Sequence, residues 1–297
     1  MTTLEETSPL DPGIRLTLPA LPANVALARQ AVAGLGDALE IDSALTADIK
    51  IAITEACTNV VVHAYPTSRG SAEIAFTTLP GHLVLSVRDR GVGFKPAAPF
   101  EAAINPDAAS GSVGFGLALI ASLSDDLAIM SGGSGTEVQM LFALGEQPPV
   151  DAPRIFTRTS QLAASPPPPA GGLSLQIGTH EPLGPVLGRL VSLLAARAGF
   201  SIDRLSDAQI VSDAVAGHAP ARVLEPIVSV SVDEHPGGFE LSVGPLAVDG
   251  ARALVADSDL PGVGPLLERL ANEIACEPAG DEGGAEVLRL RLARGRG

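Results

Sequence analysis

Glu55 and Asn59 stand four residues apart in the stretch IAITEACTNVVVHAY, residues 51–65, which is otherwise mostly small or apolar. At positions i and i+4 of a helix, both side chains emerge on one face. A carboxylate can exchange a proton, and an amide offers both a donor and an acceptor. On a helix that is otherwise built for a core, the pair marks a candidate site. The same spacing also describes a helix surface that happens to be polar, so the pair alone does not decide.

Three further stretches accompany it in order. DRGVGF (89–94) follows the apolar run LVLSV, so Asp89 ends a strand, and Gly91 and Gly93 permit a sharp turn and close backbone approach. GSVGFGLALI (111–120) places Gly114 and Gly116 at the start of a helix, where exposed N–H groups bind phosphate. GSGTEV (133–138) carries Thr136 into a last strand. Each alone reads equally as an ordinary turn, cap or hairpin. The glycines match neither a Walker loop, since GK[ST] is absent, nor a dinucleotide fingerprint, which needs strand, turn and helix at the first glycines.

The elements that must hold these residues are legible from periodicity. GIRLTLPA alternates as a strand, and PANVALARQAVAGLGDAL reads as a helix. A second helix begins near Asp42, runs through Glu55 and Asn59, and stops at Pro66. SAEIAFTTLPGHLVLSVRDR is a hairpin around Pro80–Gly81. Residues 95–113 form a loop, GFGLALIASLSDDL a helix, and IMSGGSGTEVQMLFAL a second hairpin. Cys57 reads as a small core residue.

Residues 145–172 are rich in proline, with a run from Pro166 to Pro169, and read as a linker. Beyond it, six short segments echo the first half in the same order. Ile14 corresponds to Leu173, Glu55 to Asp213, Leu85 to Leu241, Gly114 to Gly262 and Glu137 to Glu286. The separation drops between Leu85 and Gly114, so the second copy has a shorter loop there.

Composition limits the partners. A formal charge of −15 argues against direct nucleic-acid binding. No apolar run approaches the roughly 18–20 residues of a membrane span. The N-terminal MTTLEETSPLDPG is acidic and polar, unlike a signal peptide. Cys57 and Cys276 supply neither a disulfide framework nor a zinc spacing. A cytoplasmic location is the expectation.

The four ordered stretches resemble the boxes of the GHKL ATPase superfamily: EACTNVVVHAY, DRGVGF, GFGLALI and GTEV. Within it, EACTN…HAY and D-x-G-x-G-F are most similar to the anti-sigma-factor serine kinases of the RsbW/SpoIIAB type. The resemblance covers residues 14–144. It implies a two-layer α/β sandwich, with a mixed, mainly antiparallel sheet and helices on one face. It implies ATP and Mg2+ as ligands. Asn59 would hold the Mg2+, Glu55 would be the catalytic base for a substrate Ser hydroxyl, and Asp89 would accept from the adenine amino group. Gly91 and Gly93 would pass against the base, residues 95–113 would be the lid, Gly114 and Gly116 would cradle phosphates, and Thr136 would support Asp89. His63 and Tyr65 belong to the same pattern and read as structural.

The organisation expected is a tail (1–13), an ATPase/kinase domain (14–144), the linker (145–172) and a degenerate second copy (173–297). In that copy Gly217 stands where Asn59 does and Pro245 where Asp89 does, so the nucleotide site is lost. The function implied is an ATP-dependent serine/threonine kinase and anti-sigma factor. Its partners would be a STAS-domain anti-anti-sigma protein and a sigma factor, and the second copy a pseudo-dimer partner or part of a homodimer. The alternatives are a non-catalytic ATP-binding regulator that sequesters a partner, or an activator of a downstream phosphatase or cyclase.

Overall fold

The computed structural model describes residues 13–93, 113–145, 150–153, 155–157, 172–179, 181–279 and 284–295. The expected lid up to residue 112, the tail before Gly13 and the proline run lie outside these residues.

The first half runs β1 (Ile14–Pro19), α1 (Val25–Ala38), α2 (Ser43–Asn59), β2 (Ser71–Leu79), β3 (His82–Arg88), α3 (Val113–Leu123), β4 (Asp126–Gly132) and β5 (Gly135–Ala143). The boundaries have local causes. Asp42 caps α2, its Oδ1 accepting from Ala44 N at 2.8 Å. Gly81 takes φ 73° in the tight β2–β3 turn. After Asn59 the helix widens into a π-turn over Val60–Ala64.

The second half repeats the order: β6 (Leu173–Gly178), α4 (Leu183–Arg197), α5 (Ile202–His218), β7 (Ile227–His235) and β8 (Gly238–Leu246). It continues with α6 (Gly250–Asp257), a two-residue hairpin of β9 (Asp259–Leu260) and β10 (Gly264–Pro265), α7 (Leu266–Leu270), β11 (Glu273–Pro278) and β12 (Glu286–Ala293).

Ten strands form one sheet in the order β11-β12-β8-β7-β6-β1-β2-β3-β5-β4. The described pairs in it are all antiparallel. The halves meet edge to edge where β1 pairs β6, with Ile14 opposite Ile177 and Leu16 opposite Leu175. These four side chains are at most 1% exposed, and such burial stabilises by about 1.5–3 kcal/mol each. One apolar core runs through both halves beneath the helices, from Leu27 and Ile53 to Leu190 and Val215. The helices α1 and α4 cross closely: a Cβ at Gly34 would lie 2.5 Å from the Pro185 carbonyl oxygen. Polar ties flank that crossing. Arg189 Nε donates to Asp37 at 2.9 Å, and Arg197 Nη1 donates to Asn24 at 3.1 Å.

The expected linker needs one correction. Within residues 145–172, Ala152, Ile155 and Phe156 are buried against Val84 and Leu141, on the sheet face opposite the helices. Gln139 Nε2 donates to the Phe156 carbonyl at 3.2 Å. Apolar side chains on the back of β3 and β5 give this segment a seat, so part of it is a packed element rather than a spacer.

Candidate active site

The site is built where α2, the ends of β3 and β5, and the start of α3 converge. Asp89 follows the last residue of β3 and is 5% exposed. Its backbone N donates to Thr136 O at 2.8 Å. Its Oδ1 accepts from Gly91 N at 2.8 Å and Thr136 N at 3.3 Å. Burial pushes the Asp89 carboxyl above the usual carboxylate range, while the Gly91 and Thr136 amides and the Thr136 hydroxyl pull it back. Thr136 is itself held, its Oγ1 lying 2.9 Å from Ser131 Oγ.

Gly91 and Gly93 are required by close approach. A Cβ at Gly91 would fall 2.1 Å from Ala64 O, and one at Gly93, whose φ is 64°, would fall 1.9 Å from Gly132 O. Ala64 O, turned out by the π-turn, accepts from Val92 N at 3.0 Å. The helix end and the glycine turn are thereby fixed to each other.

Glu55 and Asn59 are half-buried on α2. They face the start of α3: a Cβ at Gly116 would stand 3.0 Å from Glu55 Oε2 and 3.8 Å from the Asn59 amide atoms. Gly114 lies in the first turn of the same helix. The first N–H groups of α3 have no partners within the helix, so they are the donors available to an anion there.

Between these elements is a cavity of about 260 Å³. Val60, Ala64, Val87, Leu117 and Val138 make apolar walls, and Asn59, His63, Asp89 and Thr136 bring polar groups. That is just under the ~300–1,000 Å³ of whole-ligand sites, a size for a flat heterocycle rather than an entire nucleotide. One apolar slot with a buried carboxylate at its base suits a base carrying an amino group. The oxygen donors on α2, beside the glycine-rich helix start, suit phosphates with a hard cation such as Mg2+, which takes oxygen ligands. Among the described residues, no three His, Cys, Asp or Glu side chains come together to hold a metal by themselves.

Seven of the eight residues singled out in the sequence lie around one space. Asn59, Asp89, Gly93 and Thr136 line the cavity, Glu55, Gly91 and Gly116 adjoin it, and Gly114 lies one turn before Leu117 on the helix that walls it. Sequence reasoning missed the apolar wall and the position of His63. Val87 and Val138 carried a usable signal, as core-facing strand positions just before Asp89 and just after Thr136. Tyr65 is structural as expected: its Oη accepts from Arg90 N and donates to Ser71 O, both at 2.9 Å.

Around this apolar slot, buried carboxylate and glycine-led helix, residues 18–142 match the model of the histidine kinase-like ATPase domain. The serine-protein kinase RsbW of Bacillus thuringiensis (strain Al Hakam) is 33% identical over 153 residues, covering 50% of this chain and 95% of that protein. RsbW of Bacillus cereus (strain Q1) gives the same identity and coverage. The solved RsbU and RsbW domains of Rv1364c from Mycobacterium tuberculosis are 27% identical, with a TM-score of 0.34 over 44% of this chain and 31% of that one. The chain belongs to the RsbW-type family of GHKL ATPases.

Proposed function

We propose that this protein is an ATP-dependent serine protein kinase and anti-sigma factor of a cytoplasmic partner-switching system. The observation that carries the reading is the buried Asp89 carboxylate opening on the same cavity as Asn59, with Glu55 one helical turn back facing the start of α3. Asp89, through a carboxylate oxygen, accepts from the adenine amino group. The apolar walls exclude water from the base, and Gly114 and Gly116 let the α3 amides approach the phosphates. Asn59 would hold Mg2+, which supplies charge neutralisation along the phosphate chain. Glu55 takes the proton from a substrate Ser hydroxyl. The Ser oxygen bonds to the γ-phosphorus as the bond to the β-phosphate oxygen breaks, and ADP leaves. The substrate is a Ser on a STAS-domain anti-anti-sigma protein, and the sigma factor is bound when that protein is phosphorylated.

The second half is a degenerate copy that acts as a built-in partner. Its β6 lies on the β1 edge, so the first half is completed within one chain.

Radiolabelled ATP incubated with STAS-domain proteins of the same genome tests this. Label should appear on a Ser of one of them and be lost with Glu55→Ala and Asn59→Ala. Tight ATP binding with no transfer to any of them would leave a non-catalytic regulator as the better reading.

A further inference from the structure

Beside the nucleotide cavity, and sharing Ala64 with it, lies a more open groove of about 490 Å³. Among the described residues its charged lining is Arg69 and Arg90, with no Asp or Glu. In a chain with 34 acidic and 19 basic residues, that is the reverse of what composition leads one to expect. The backbone at Arg90 and the residue after Arg69 both meet one aromatic anchor. Tyr65 Oη accepts from Arg90 N at 2.9 Å, and a Cβ at Gly70, next to Arg69, would lie 2.1 Å from the Tyr65 ring. Arg90 is further oriented by its Nε, which donates to Glu73 at 2.9 Å. Arg69 has no ion-pair partner among the described residues.

A guanidinium offers a planar fork that matches a carboxylate with two parallel hydrogen bonds. The volume lies within the ~300–1,000 Å³ range of ligand sites, but the groove is open, which suits a chain passing through rather than an enclosed metabolite. Val92, 61% exposed, adds an apolar contact along it. We propose that this groove binds an acidic peptide segment of a protein partner, with its carboxylates on Arg69 and Arg90. The assignment does not depend on the chemistry at Glu55 and Asn59.

The test uses the full chain and a fluorescently labelled hexaglutamate peptide, read by anisotropy at low salt. The protein's net charge of −15 disfavours non-specific binding of such a probe. Saturable binding is expected, weakened about ten-fold or more by Arg69→Glu and by less in Arg69→Lys. Arg69→Glu should retain the wild-type melting temperature and ATP affinity, which separates this failure from failure of the kinase reading. Absence of saturable binding, or binding that Arg69→Glu leaves unchanged, would overturn the proposal. Displacement of the peptide by inorganic phosphate at concentrations no higher than the peptide's own Kd would assign the groove to a free anion and overturn it as well.

Discussion

The two halves share an order of strands and helices, yet they treat the space beyond their third strand differently. In the first half β3 ends at the buried Asp89, and the cavity opens in front of it. In the second, β8 carries Pro245 at the corresponding position, and α6 packs Ala251 and Leu254 fully into the core. The backbone connection is retained: Arg222 O accepts from Ala247 N at 2.8 Å, where Ala64 O accepts from Val92 N at 3.0 Å. The start of α6 is closed by the chain's own carboxylate, since Glu286 accepts from Asp249 N and Ala251 N, each at 3.1 Å. The comparison separates two sets of residues. The apolar set that builds the sandwich persists; the amide of Asn59, the carboxylate of Asp89 and the open slot do not, while Asp213 keeps a carboxylate at the position of Glu55.

The sharpest way to break that comparison is to exchange the polar residues. Asn59→Ala should remove phosphoryl transfer to below detection, and Glu55→Gln should lower it about 10²–10⁴-fold, as loss of a general base does. The converse change, Gly217→Asn, should gain nothing. A Cβ there meets no heavy atom within 4 Å, so no pocket wall stands ready to orient the amide. Calorimetric titration should find one ATP per chain in both the wild type and Gly217→Asn. Two per chain in either would show that the second half retains a site.

Asp89→Asn follows. An Asn Oδ1 can still accept from Gly91 and Thr136, so the turn survives while the buried charge goes. ATP affinity should fall by about 10–100-fold, the loss of a hydrogen bond to a charged group worth ~1.5–3 kcal/mol. The unliganded protein should melt no lower, and up to about 2–4 °C higher per kcal/mol relieved. The sign is set by the raised carboxyl of Asp89. Its contribution to stability is fully present below the unfolded value and is lost as pH rises through the higher folded value. Melting scans across that window should therefore show a fall in the wild type that Asp89→Asn lacks.

A smaller effect is expected behind the sheet. Phe156→Ala should cost about 3 kcal/mol, the low end for a buried Phe, because the segment seats on few residues. It packs on β3 and β5, whose ends border the cavity proposed to take ATP, so ATP affinity should drop alongside the denaturation midpoint. Among the described residues, no equivalent brace lies behind β8 and β12. An unchanged ATP affinity in Phe156→Ala would mean that the brace serves stability alone.

Much of this is legible in the amino-acid sequence. Periodicity locates the strands and helices around the site, and the match of Ile14 with Leu173 picks out β1 and β6, the two strands that pair. Glu55 and Asn59 stand out because they conflict with the surrounding core pattern, whereas Asp89, the glycines and Thr136 stand out only through the order of the four stretches. Three features do not stand out. Ile155 and Phe156 sit among prolines and polar residues, so composition hides a packed segment. The helix α6 has Ala251, Leu254 and Val255 at helical spacing, but a shortened loop predicts no element there. The π-turn at Val60–Ala64 lies inside an unbroken helical pattern, and only the demand of Ala64 O for Val92 N sets it apart.

The finest test asks whether halves that differ in chemistry still fold as one unit. Cys57 lies in the first half, 3% exposed, and burial pushes its thiol up to about 12. At pH 8 its thiolate fraction is then on the order of 10⁻⁴, so it is inert in the native state. Cys276 is exposed on the outer strand β11 of the second half, its thiol raised by partial burial and by Glu286. A thiol reagent should therefore mark one site per native chain and reach Cys57 only on opening. Because one core passes from Leu16 to Leu175 and on through both layers of helices, Cys57 labelling in rising urea should follow the whole-chain circular dichroism. Saturating ATP, at about 100 times its Kd, should shift both together by ~2.7 kcal/mol and leave native Cys276 labelling unchanged. A Cys57 midpoint that separates from the dichroism would mean that the β1–β6 seam joins two independent folding units, and that the second half is a neighbour of the ATP site rather than part of what holds it.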